Sequence, residues 1–249
     1  MLVLKLSLVP AVLLFISLAS KRWGPGVAGW LASLPIIAGP VVLLLTLSHG
    51  AAFGTAAAKG SMAAVFASVS FGAVYVYLGA RRNWPLALLG ALLAWGLAAA
   101  LTATLFTSDL ASLMLALLTL LLAPRVFPPR GEKPAPSAIS YRELALRMLA
   151  GFLLVLCVTG AAELVGPRWS GLLAVFPVMA SILAVFSHRN QGLAASAAML
   201  RGLATGLYAF VAFFLVLSLT LIKLGTPAAF GLALLTALAV HATGRRHLL

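Results

Sequence analysis

The sequence predicts an all-α integral membrane protein of about nine transmembrane helices, built as two inverted four-helix repeats joined by a linking helix. Three observations carry that expectation. Long stretches lack charge, a pattern of glycines and prolines recurs at one constant offset, and the basic residues fall in short loops.

Charge comes first. Of 249 residues, 63% are apolar and 8% charged, and the mean hydropathy is +1.14. A soluble domain carries roughly 25% charged residues, so this chain has too few to cover a water-facing surface. Runs of about 20 uncharged residues match the hydrocarbon thickness that a spanning helix must cross. They are solid Leu, Ala, Val and Phe, without the alternation that a barrel strand requires.

The repeat comes next. At an offset of 142, Gly24-Pro25 matches Gly166-Pro167, Gly29 matches Gly171, Pro35 matches Pro177 and Gly50 matches Gly192. Lys59-Gly60 likewise matches Arg201-Gly202, Phe71 matches Phe213 and Pro85 matches Pro227. Leu and Ala coincide freely in such a composition; glycines, prolines and a base in register do not. The chain therefore divides into a first membrane repeat over 1–106, a linking helix with a basic Pro-rich cytoplasmic loop over 107–143, and a second repeat over 144–249. The first segment, with Lys5 near its start, resembles a signal peptide. Its internal counterpart, where Arg147 stands for Lys5, makes it a retained helix instead.

Nine spans are expected, at about 2–20, 27–48, 56–78, 85–106, 108–123, 145–162, 169–187, 196–222 and 227–243. The fifth is short, and tilt or local thinning of the bilayer accommodates it. The net charge of +13, from 17 basic and 4 acidic residues, orients them. Basic loops stay in the cytoplasm, which puts Lys21-Arg22, Arg81-Arg82, the linker bases Arg125, Arg130 and Lys133, Arg189 and Arg245-Arg246 inside, and Asp109 and Glu163 outside. The N-terminus is then out and the C-terminus in, in the cell inner (cytoplasmic) membrane. An odd number of crossings separates the copies, so they insert head-to-toe, as in many secondary transporters.

Several residues then stand out. Pro35, followed by Gly39-Pro40, and its counterpart Pro177 fall inside the second and seventh spans. A proline there frees a carbonyl that must find a partner in protein or a wet cavity, and paired interruptions in two halves point to a transporter's central site. Lys59 and Arg201 are bases within spans, suited to an anionic substrate or to snorkelling towards the headgroups. Pro35, Pro177, Lys59 and Arg201 are thus the substrate-site candidates. Glu163 can pair with Arg168, act in proton coupling or, as its place at a span end favours, simply lie at the surface, and His49 and His188 flank helix ends. Gly202 and Gly206 form a close-packing surface, and Cys157, inside an apolar run, reads as a packing residue.

Other chemistry is excluded by what the motifs lack. Gly24 to Gly29 fits G-x-G-x-x-G, but no strand precedes it, and Gly54 to Ser61 has its lysine before the glycine, unlike a phosphate loop. Four carboxylates leave little for a metal cage or a catalytic dyad. The sequence predicts no enzyme, no cofactor, no metal and no nucleic-acid partner. The bilayer is the expected partner, with a small-molecule substrate, and a homo-oligomer or membrane partner stays open.

Ser20-Lys21-Arg22 followed by a glycine-containing apolar helix broken at Pro35, and the Gly166–His188 stretch, resemble the small GlpM-like inner-membrane protein family, here present as two copies. The resemblance implies an inner-membrane protein and brings no functional residues. The expected function is a small secondary transporter or permease for an anionic small molecule. The alternative is a non-catalytic accessory membrane subunit in cell-envelope or polysaccharide assembly, and a lipid enzyme using His49 or His188 is disfavoured by the scarcity of acids.

Overall fold

The computed structural model describes residues 2–105, 109–127, 139–164 and 176–244. Several positions weighed above lie outside these: Gly166, Pro167, Arg168, Gly171, Arg130, Lys133, Arg245 and Arg246, and the side chains of Lys5, Asp109 and Glu163. The described residues form helices joined by turns, without strands. These are α1 (Leu2–Trp23), α2 (Pro25–Ala32), α3 (Ala38–His49), α4 (Ala51–Gly79), α5 (Trp84–Leu105), α6 (Asp109–Val126), α7 (Tyr141–Leu164), α8 (Val178–Gln191), α9 (Leu193–Leu224) and α10 (Thr226–Gly244).

Six of them, α1, α4, α5, α7, α9 and α10, contain stretches long and apolar enough to cross a membrane, while α3 and α6 are shorter apolar helices. The expected second span, 27–48, is not one helix. It is α2 and α3, interrupted at 33–37 around Pro35. Of the expected seventh span, the described part is Phe176, Pro177 and α8.

The packing is inside out relative to a protein in water. On α5, Leu86, Leu89, Leu93 and Leu97 are 50–73% exposed, while Ala87, Ala91, Trp95 and Ala99 face inward. On α10 the inward stripe is Ala229, Ala233, Ala237 and His241, each 142 residues beyond its counterpart on α5. Large apolar side chains outward and small ones inward is the arrangement of helices in lipid. Lipid tails are as apolar as leucine, so association there depends on close packing rather than on escape from water. Cys157 also lies exposed on α7, on the outward face, and does not pack inside as expected.

Four glycines, Gly24, Gly50, Gly192 and Gly225, join helices with a single residue, at φ of 77–87° and ψ of 168–176°. Side chains other than hydrogen are nearly excluded from this region. At Gly50 the N–H closes α3 on the Thr46 carbonyl (2.8 Å) and its own carbonyl opens α4 at Gly54 (3.1 Å). Gly192 does the same between His188 (2.9 Å) and Ser196 (3.5 Å). No connecting loop is needed.

Contacts fix the relative directions. Gly54 lies beside Leu221, Gly72 beside Leu200 and Gly79 beside Leu193, so α4 and α9 run antiparallel. Gly151 lies beside Leu13 and Val9, and Arg147 reaches Ser17, so α1 and α7 do too. α9 also receives α2 at backbone distance. A methyl group on Gly29 would run into the backbone of Met199, and one on Gly202 into that of Gly26. Gly206 sits against the Trp30 carbonyl and Ser33. The Gly202–Gly206 surface is therefore structural, as its spacing predicts.

Candidate functional site

A cavity of about 1050 Å³ lies where the break between α2 and α3 and the start of α8 meet α4 and α9. Its position follows from proline chemistry. Pro35 supplies no N–H, and α2 stops short of it. The last carbonyls of α2 are satisfied locally: the Trp30 oxygen accepts from the Ser33 hydroxyl (2.6 Å) and the Ser33 N–H (3.3 Å), and the Leu31 oxygen from the Leu34 N–H (3.3 Å). The Pro35 carbonyl then accepts from the Gly39 N–H (2.8 Å) as α3 begins. Pro40 falls in the first turn of α3, where an N–H would have had no intrahelical partner.

Pro177 plays the corresponding part on the other side as the N-cap of α8, its carbonyl accepting from the Ser181 N–H (2.9 Å). The N-cap residues, Ile37 of α3 and Pro177 of α8, make no side-chain capping bond. Ile37 and Ala38 at the start of α3, and Pro177 and Val178 at the start of α8, all line the same cavity. Helix N-termini carry partial positive charge, so two positive helix ends meet in one space. The carboxy end of α2, which would oppose them, is closed by Ser33.

Lys59 lines the cavity as well, half-buried and one turn beyond Thr55 on the same face of α4. Thr55 is 7% exposed, and its hydroxyl has no hydrogen-bond partner. The Ser61, Ser68 and Thr102 hydroxyls donate to carbonyls of their own helices at 2.9–3.0 Å. Among the described residues Lys59 is the one charged residue of the wall; the others are apolar or hydroxylic. Such a space suits a singly anionic group on an apolar body. Val65 and Leu207, 142 residues apart, both line it.

The four residues singled out in the sequence are distributed as follows. Pro177 and Lys59 line the cavity, and Pro35 is buried at the break immediately beside lining residues Leu34 and Ile36. Arg201 lines a different cavity. The antiparallel register accounts for this: Gly72 is level with Leu200 and Gly79 with Leu193. Lys59 is therefore level with about position 213, twelve residues from Arg201, or about 18 Å along the axis at 1.5 Å per residue. Nor do the two histidines meet. His49 is exposed and stacks on Phe53, with ring centroids 4.7 Å apart, whereas His188 Nδ1 sits 3.3 Å from the hydroxyl of buried Tyr75. Among the described residues no group of His, Cys, Asp and Glu could hold a metal ion.

One charged residue of consequence had drawn notice only as the counterpart of Lys5. Arg147 is completely buried. Its Nε donates to Glu143 Oε1 (3.0 Å) and its Nη1 to Ser17 Oγ (3.4 Å), with the guanidinium 5.4 Å from the Phe186 ring centroid. It ties α7 to α1 and α8. The available signal is Glu143 four residues before it, a spacing that puts the pair on one helix face.

No family model matches the chain, and comparison with curated proteins and with solved structures returns no match.

Proposed function

We propose that the protein is a small secondary transporter for organic anions, working from the cavity that the starts of α3 and α8 share. The observation that carries this reading is the meeting of the N-termini of α3 and α8 with Lys59 in one space. Discontinuous helices whose N-termini face an anionic substrate are a recurrent transporter device, and Thr55 adds a buried hydroxyl in want of a partner.

The reading includes nine crossings and two copies inserted head-to-toe in the cytoplasmic membrane. It is supported by helix boundaries at the repeat offset: His49 and Gln191 end α3 and α8, Ala51 and Leu193 begin α4 and α9, and Trp84 and Thr226 begin α5 and α10. Equivalent helices also lie antiparallel, α1 to α7 and α4 to α9, as copies related by a two-fold axis in the membrane plane must.

Purified protein on solid-supported membranes, given concentration jumps of acetate, benzoate, octanoate, phosphate and sulfate, tests the activity. A current with at least one carboxylate is expected, reduced tenfold or more by Lys59→Ala and partly restored by Lys59→Arg. No current above protein-free membranes with any of the five anions rejects transport. Currents unchanged in Lys59→Ala reject this site. Orientation is tested separately by impermeant thiol labelling of His49→Cys and Arg189→Cys, each in a Cys157→Ala background. The two should label from opposite sides, and labelling from one side ends the head-to-toe arrangement.

A further inference from the structure

Exposed bases gather at one end of the bundle, as the contacts between helices establish. Gly79 lies beside Leu193, so the end of α4, followed by Arg81 and Arg82, sits at the start of α9, where the last turn of α8 carries Arg189. Gly26 of α2 lies against the Ala198 carbonyl near that same start, which brings Lys21 and Arg22, in the last turn of α1, to this level. Arg147 reaches Ser17. In that antiparallel pair Arg142, earlier on α7, is therefore level with Arg22. All of these bases are exposed. At the opposite end, where Gly54 lies beside Leu221, the described side chains include only Lys223 and His49 as exposed basic groups.

Acids do not balance the crowded end. Among the described residues Glu143 is the one carboxylate there, and it accepts from Arg147 Nε at 3.0 Å. Like charges on a common level repel one another, and counter-charge from outside the chain relieves that repulsion.

A second observation says what supplies it. Trp23, Tyr77 and Tyr141 are 57%, 60% and 90% exposed, all at this end. The Arg22 guanidinium lies 5.9 Å from the Trp23 ring centroid, and that of Arg81 lies 3.9 Å from the Tyr77 centroid. Arg81 Nη1 also donates to the Tyr77 carbonyl (3.2 Å), and Arg142 follows Tyr141 in sequence. Exposed Trp and Tyr settle at the headgroup level of a bilayer, so these contacts hold the guanidinium groups at the depth of the lipid phosphates. A guanidinium can bond two oxygens of one phosphate at once, and each base near a membrane surface favours anionic lipid about fivefold.

We propose that this end of the bundle is a binding surface for anionic phospholipid headgroups, held chiefly by Arg22, Arg81 and Arg142 beside Trp23, Tyr77 and Tyr141. The inference rests on the helices crossing a membrane and is independent of transport through the cavity.

Delipidated protein in dodecyl maltoside is given phosphatidylglycerol and phosphatidylcholine in equal amounts, and the lipids retained are counted by native mass spectrometry. Phosphatidylglycerol should be preferred about tenfold or more. Each of Arg22→Gln, Arg81→Gln and Arg142→Gln should lower that preference about two- to fivefold, and the triple variant should nearly abolish it. Arg→Lys at the same three positions, which keeps the charge, should retain most of it, and Lys223→Gln at the other end should leave it unchanged. The single variants are surface changes of small effect on stability, so they decide the matter if the triple variant does not fold. Equal retention of the two lipids by the wild type overturns the proposal. So does a preference that survives all three single substitutions, or one that Lys223→Gln lowers as much as they do.

Discussion

The contact between α2 and α9 allows a prediction whose sign can be worked out in advance. In Gly202→Ala, the added methyl would lie 2.9 Å from the Gly26 carbonyl carbon, closer still to its oxygen, and 3.1 Å from the Trp30 nitrogen. All three are backbone atoms, so no rotamer change relieves the clash and the helices must separate, by roughly 1 Å or more. A gap of that size forfeits up to about half of each dispersion contact along the seam, and overpacking of this kind costs about 3 kcal/mol at the upper end of its usual range. Alanine's better helix propensity returns about 1 kcal/mol, for a net loss of about 2 kcal/mol. Gly96→Ala on α5 is the control. Nothing lies within 4 Å of its added methyl, so only the propensity gain of about 1 kcal/mol remains. Reversible unfolding in mixed micelles of rising dodecyl sulfate fraction, followed by circular dichroism, should move the two midpoints in opposite directions. If Gly202→Ala is as stable as the parent, or both variants shift together, the backbone-distance packing of α2 on α9 is wrong.

Three further outcomes follow from the same geometry. Gly50→Ala and Gly192→Ala should each lose about 1–3 kcal/mol in that unfolding assay, because a side chain is forced into a conformation reserved for glycine. Removing Glu143 by Glu143→Gln should cost about 3 kcal/mol or more by leaving Arg147 buried without its carboxylate, whereas Glu143→Leu with Arg147→Leu should recover much of that loss; a double variant no better than the single one would exclude the pairing as the reason. Gly60, on the wall of the first cavity with nothing within 4 Å, should accept phenylalanine with a stability change under about 0.5 kcal/mol, while anion currents fall at least tenfold.

Local backbone chemistry is legible in this sequence, and register between helices is not. The interruption at Pro35 can be read directly, because a missing N–H ends a helix wherever it occurs. The corners at Gly50 and Gly192 belong to the same class, paired at the repeat offset. The separation of Lys59 from Arg201 depends instead on the level at which α4 crosses α9. In an antiparallel pair, equivalent residues meet only near the crossing point, which falls close to Val65 and Leu207, two side chains that a sequence rich in Leu and Val hides. The stack of Trp30 on His241 joins α2 to α10, and neither residue recurs at the 142-residue offset, where Leu172 and Ala99 stand. Arg147 was within reach, since its partner stands one helical turn away.

The single-residue corners at Gly50 and Gly192 have a mechanical consequence. Each short helix, α3 or α8, is joined to a long rod, α4 or α9, by one residue whose N–H and carbonyl are both bonded into the flanking helices, which couples their movements. Tilting α4 carries α3 with it, and tilting α9 carries α8. In the transport cycle proposed above, the positive tips of α3 and α8 would be geared to the very rods whose rocking exposes them first to one compartment and then to the other.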